Sequence, residues 1–95
     1  MVIDWNMKMR TQCWGPSSVI RQGPYVSLKE AQHECMSHER CNKVMGTEGN
    51  EFDHTSFVLC DIDSKYSTLA RENFFTSLLP DSVYEIPGKF LSYVY

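Results

Sequence analysis

Between Ile3 and Cys13 the odd positions read Ile, Trp, Met, Met, Thr, Cys and the even ones Asp, Asn, Lys, Arg, Gln. Such alternation predicts one long, half-buried strand. The breaker clusters Trp14-Gly15-Pro16-Ser17-Ser18 and Gly23-Pro24 flank the apolar pair Val19-Ile20, which reads as a loop with one brief strand. Ser27-Leu28-Lys29-Glu30 spells a capping box: the Ser hydroxyl takes the amide three residues on, and the Glu carboxylate reaches back to the Ser amide. A helix of about three turns over residues 27–39 follows, with Leu28, Ala31 and Cys35 on one face and Lys29, Glu30, His33, Glu34 and Ser37 on the other.

Asn42 to Met45 reads as a strand stopped by Gly46, and a polar loop runs from Thr47 to Thr55. Ser56 to Ile62 is rich in β-formers, with Phe57, Leu59 and Asp61 on one face and Val58, Cys60 and Ile62 on the other. Asp63 to Glu72 is polar with a weak helical flavour, Phe74 to Leu79 is a strand, and Pro80-Asp81-Ser82 is a turn. Phe90 to Tyr95 is again β-prone behind the break at Pro87-Gly88. The expected class is α+β: a curled antiparallel sheet packed around a single helix, forming one domain over residues 1–95.

Ninety-five residues leave a small core, and the four cysteines are natural staples for it. Apolar residues make up 42% and charged ones 22%, so the chain has the balance of a folded domain and not of a disordered one. Formal charge is −3 with no basic run, which argues against binding nucleic acid. The longest pure apolar run, Phe57 to Cys60, is far short of the ~18 residues of a membrane span, so no membrane insertion is expected. Met1 to Trp5 carries no basic start followed by an apolar stretch, so no secretory signal is visible, and the cysteine arrangement favours a mature secreted segment over a cytosolic protein.

Cys35 in the last helical turn and Cys41 at the next strand are close enough for a bridge across a tight corner, leaving Cys13 and Cys60 to pair across the sheet. Three pairings exist for four cysteines, and spacing alone does not exclude the other two.

The run from Ser27 through Cys35, Cys41 and Met45, followed by Phe57-Val58-Leu59-Cys60, resembles the PAN/apple domain over roughly residues 10–95, with only the helix-to-strand core specific. The resemblance implies a curled antiparallel sheet cradling one helix, and protein or carbohydrate ligands. Two departures accompany it. Ala31 stands where the family places the first helix cysteine, customarily bonded to the strand cysteine, and no cysteine pair ties the termini. Cys13 is therefore expected to replace the missing partner of Cys60.

Other chemistries fit poorly. His33, Cys35, His38 and Cys41 lack the C-x2-C or H-x3-H spacing of a zinc site. Asp53-His54-Thr55-Ser56 has the letters of a hydrolase without its glycine elbow, and Glu48/Glu51 with Asp61/Asp63 lack an EF-hand loop. No catalysis, metal or cofactor is expected. Among the aromatics, Trp5 and the terminal tyrosines are first of all strand-packing residues, whereas Trp14, Tyr25 and Tyr66 lie in or beside predicted loops, where aromatics serve recognition. Arg21 is a candidate partner for a carboxylate. Loop 46–55 is longer than a hairpin connection needs, and its Glu48, Asn50, Glu51, Asp53 and His54, with the segment Trp14 to Tyr25 beside it, make the candidate contact surface. The sequence thus reads as an extracellular module that binds a protein or glycan through loops. The alternative from another class is a small cytosolic thiol redox or metal-dependent protein.

Overall fold

A computed structural model describes residues 4–14, 18–47, 55–68 and 73–80. Its elements are β1 (Asn6–Met9), β2 (Gln12–Trp14), β3 (Val19–Tyr25), α1 (Leu28–Met36), β4 (Cys41–Thr47), β5 (Thr55–Asp61), β6 (Lys65–Ser67) and β7 (Phe74–Leu78). Five strands form one antiparallel sheet in the order β1-β7-β4-β5-β3, and β2 pairs with β6 in a separate two-stranded ribbon. The class is therefore α+β with one helix among the described residues and two disulfides, Cys13–Cys60 and Cys35–Cys41, as expected.

The helix begins where the capping signal puts it. Ser27 Oγ accepts from the Glu30 amide at 3.3 Å. The return contact differs by one residue: Glu30 Oε2 accepts from the Val26 amide at 2.9 Å, not from Ser27. Ser37 caps the other end, earlier than residue 39, because the chain must turn at once to bring Cys41 against Cys35. Ala31 and Cys35 are fully buried on the sheet, and Leu28 packs half-buried at the margin.

The long strand expected over residues 3–13 is broken into β1 and β2. Arg10 takes φ 55°, a left-handed conformation uncommon for a side-chain-bearing residue, and Thr11 Oγ1 donates to the Lys8 carbonyl at 2.6 Å to close the kink. The break sends β1 to the edge of the large sheet, where all four residues stay exposed, and β2 to the ribbon. The alternation of β1 is thus not a burial pattern: Met7 and Met9 share the helix side with Ser77 and Phe75 yet stay exposed. Val19-Ile20 is likewise more than a brief strand. Six of the seven residues from Val19 to Tyr25 have partners in β5, with Ile20 bulged out of register, and Pro24 is tolerated because β3 is an edge. Lys65–Ser67, expected to lean helical, is strand β6.

Direct register partners share a face, which sorts the sheet into two sides. Val44, Gly46, Phe57, Leu59, Phe75 and Ser77 face the helix; Lys43, Met45, Val58, Cys60, Thr76 and Leu78 face the ribbon. The alternation expected for Phe57–Ile62 is thus present through Asp61, where β5 ends and Ile62 enters the turn. Both sides of its middle are nevertheless buried, since Phe57, Val58, Leu59 and Cys60 are all shielded.

Candidate functional site

The β3–β5 pair marks two ends of the five-stranded sheet. At one, Tyr25 pairs with Thr55, the residue following loop 48–54. At the other, Val19 pairs with Cys60. Six residue steps separate Val19 from Tyr25 along β3, roughly 20 Å of extended chain.

That distance divides the surface expected from sequence. Glu48, Asn50, Glu51, Asp53 and His54 lie outside the described residues. Tyr25, at the Thr55 end of β3, is a core residue, 6% exposed, tilted against Phe57 at 6.5 Å between ring centroids. Trp14 follows Cys13 and therefore sits at the Cys60 end, on the ribbon side, so it is not a neighbour of Tyr25. Tyr66 is also buried and not displayed for recognition. Both tyrosines bury their rings because the strands carrying them have a covered face, which a reading of these segments as loops misses. Burial pushes the Tyr25 hydroxyl up from its ordinary pKa, Arg21 opposing it. Arg21 is exposed, as a contact residue must be, but it is already engaged: it pairs with Glu34 at 2.8 Å and lies 5.9 Å from the centroid of the Tyr25 ring. Trp5 packs against the core cluster, in keeping with a strand-packing role.

The end marked by Cys60 collects the most chemistry. The helix-to-strand corner brings Arg40 beside the turn that follows β5, because the Ile62 amide donates to the Arg40 carbonyl at 2.5 Å. Arg40 Nη2 donates to Asp61 Oδ1 at 2.9 Å and also to Asp63 Oδ2, and the Asp63 amide donates to Asp61 Oδ1 at 2.8 Å. The Arg40 hydrogen bond, aided by that amide, holds Asp61 below the ordinary carboxylate range. Beneath this fork the Lys43 side chain is fully buried. Its ammonium has three protons and finds three oxygens: Asn42 Oδ1 at 2.8 Å, the Asp61 carbonyl at 3.2 Å and the Ile62 carbonyl at 3.4 Å. Burial lowers the amine to about 8, with Asp61 and Asp63 pulling weakly the other way.

Around the fork the surface is mixed. Trp14 stacks under the Lys65 ammonium at 5.8 Å from the ring centroid, and Val19 and Ile62 are 54% and 41% exposed. The Asp61 amide donates to the Ser18 carbonyl at 2.7 Å, which ties the start of β3 to the same turn. Sequence reasoning weighed Asp61 and Asp63 only for calcium and missed Arg40 and Lys43. The available signal was a lysine between Cys41 and Val44 in a strand that should be central, a position where a charge has to be paired or hydrogen-bonded.

Cys35 and Cys41, two donors of the zinc arrangement weighed above, are bonded to each other with S–S 2.04 Å, so neither sulfur offers a thiolate. Among the described residues no group of three His, Cys, Asp or Glu is placed to hold a metal ion, and no helix is long and apolar enough to cross a membrane. No protein-family model, no curated protein and no solved structure matches the chain.

Proposed function

We propose that the chain is an extracellular binding module of PAN/apple type that recognises a protein or glycan without catalysis. The observation carrying this reading is that all four cysteines are consumed in two disulfides, Cys13–Cys60 and Cys35–Cys41, which clamp a one-helix antiparallel sheet. Disulfides persist in oxidising compartments, which supports the extracellular reading. The corner bridge from helix to strand matches the resemblance. The departure at Ala31 has a geometric counterpart: Ala31 faces the helix side of the sheet and Cys60 the ribbon side, so the family's customary bridge has no path here and Cys13 approaches from the opposite face.

Of the contact residues expected from sequence, Trp14 is half-exposed on the β2–β6 ribbon against Lys65, which supports it as an aromatic anchor. Aromatic anchors with an apolar margin and a charged rim are the usual composition of a recognition patch. Two measurements test the proposal. Protein recovered from an oxidising compartment and alkylated without reductant should gain no mass, and four additions would overturn the extracellular reading. Immobilised domain should retain a member of a glycan array or of a panel of purified ectodomains, with retention lost in Trp14→Ala; no retained ligand in either set would overturn the binding reading.

A further inference from the structure

Lys43 is a buried amine with no role in the contact surface just described; it lies on the ribbon side of the sheet, its Nζ held by Asn42 Oδ1 and by the Asp61 and Ile62 carbonyls. Residues 61–67 supply the Asp61 and Ile62 carbonyls that hold its Nζ and then continue as β6, which pairs with β2 to form the ribbon over this side of the sheet. The ribbon's position over Lys43 follows from two contacts of Cys13. Its sulfur is bonded to Cys60, the direct register partner of Lys43, and its amide donates to Met45 Sδ at 3.4 Å, two residues along the same face.

Without that sulfur bond the ribbon is weakly held. Each strand has three residues, and an isolated two-stranded ribbon is marginal at best in water. Its buried side is largely polar: Thr11, Gln12 and Ser64 are shielded beside Tyr66. Gln12 Nε2 and Ser64 Oγ, with Thr76 Oγ1 on the sheet below, are buried without a hydrogen-bond partner, each a cost that opening would relieve. Lys43 itself gains hydration on opening, and its lowered amine pKa reflects the same burial. The titratable and charged groups facing it are Asp61 and Asp63, with Arg40 bound to both; Asp61 pairs with Cys41 at the end of β5 and Arg40 sits on the α1–β4 corner, so Asp61 and Arg40 stay with the sheet when the ribbon lifts.

We infer that Cys13–Cys60 is the latch of a cryptic amine site: its reduction by a dithiol lets the β2–β6 ribbon lift from β4 and uncovers Lys43 to amine-directed acyl donors, while the helix side remains folded. The exchange is balanced. A reductant thiolate attacks the sulfur of Cys13, which is part-exposed where Cys60 is fully buried, and the S–S bond breaks with the electron pair leaving on Cys60. Cys60 takes up a proton. The second thiol of the reductant then attacks the mixed disulfide and frees Cys13, so two thiols are formed in the protein and one disulfide in the reductant.

Acetylation by a water-soluble succinimidyl ester at pH 8, mapped by peptide mass, reads the exposure of Lys43 against exposed Lys8 and Lys29 as internal standards. In the oxidised protein Lys43 should react at least ~10-fold more slowly than Lys29, and in Cys13→Ser/Cys60→Ser it should approach the Lys29 rate. Cys35→Ser/Cys41→Ser should leave it protected. Wild-type protein partly reduced with dithiothreitol and sorted by differential alkylation provides the same comparison without substitution. Amide exchange across β4, β5 and β7, run on the same samples, must stay protected when Lys43 reacts. Protection of Lys43 after the link is lost, reaction of Lys43 in the oxidised protein at the Lys29 rate, or exposure only when the whole sheet exchanges would each overturn the latch.

Discussion

The two faces of the central sheet are held by different physics. On the helix side Ala31, Cys35, Val44, Phe57, Leu59 and Phe75 are fully buried and contribute apolar area, the additive term that dominates folding. The ribbon side buries a lysine, two threonines, a glutamine and a serine around Val58, Cys60, Tyr66 and Leu78. Area does less there, so a covalent bond and a three-acceptor ammonium take its place. The lesson is that a small domain need not be uniformly stable: a face closed by a specific bond can open without the other.

The strongest way to break this contrast is to remove each disulfide in turn. Cys13–Cys60 spans 47 residues and Cys35–Cys41 six. On the chain-entropy estimate their loss costs ~4 and ~2.4 kcal/mol respectively. Denaturant melts of the paired serine variants should rank them in that order, and the reverse ranking would place the larger constraint on the helix side.

The helix side should instead be most sensitive to volume. A β-carbon added at Gly46 would lie 2.8 Å from Phe57 Cδ1 and Cε1 and 2.8 Å from Phe75 Cζ, closer than any real contact. Both rings are fully buried and cannot yield without displacing their neighbours. Gly46→Ala should cost about 1–3 kcal/mol by overpacking, whereas Gly23→Ala, with nothing within 4 Å, should be far milder. Equal melts for the two would mean that Phe57 and Phe75 are not held rigidly against β4.

On the ribbon side the distinguishing variable is pH. Below about 8 Lys43 is charged in both the folded and unfolded chain. Between about 8 and the ordinary amine range of ~10.4, the unfolded chain binds a proton that the folded chain does not, so raising pH through this window adds stability. With the full shift reduced for screening by the surrounding oxygens, the gain is ~1–2 kcal/mol. Measurements should stop near pH 9.5. Above it Tyr25, whose hydroxyl is raised by burial, acts with the opposite sign because the unfolded chain loses that proton first. Chemical melts from pH 7.5 to 9.5 should show the rise in wild type and not in Lys43→Met; the same slope in both would assign it to another group.

How much of this was legible in the sequence follows the same division. The helix with its cap, the strands β4, β5 and β7 and the corner bridge are all local: a capping box, apolar periodicity and a short cysteine spacing encode them within a few residues. The ribbon was not legible. It pairs residues 12–14 with 65–67, depends on one left-handed residue, Arg10, and inserts a break into perfect alternation that no residue type announces. Lys43 escaped for the same reason, since two of its three acceptors are backbone carbonyls 18 and 19 residues away. Trp14 and Tyr25 are set apart because nearness along the chain is not nearness in space: β3, read as a loop, is a strand that runs along β5 from the Cys60 end to Tyr25, while Trp14 stays on β2.

The smallest expected effect concerns the helix start, where local encoding can be tested on its own. Ser27 Oγ caps the Glu30 amide, while the Glu30 carboxylate has moved one residue outward to the Val26 amide, so the two halves of the box hold different donors and should be separable. Ser27→Ala removes only the first and should cost ~1 kcal/mol. Glu30→Gln keeps an acceptor oxygen for Val26 but gives up the negative charge near the helix N-terminus, so a few tenths to ~1 kcal/mol is expected, shrinking in high salt. Leu28→Ala, at a half-buried margin, should fall below the ~2–5 kcal/mol of a fully buried leucine. If Ser27→Ala proved as costly as Leu59→Ala, the helix would depend on its cap more than on Ala31 and Cys35, and the apolar account of that face would fail.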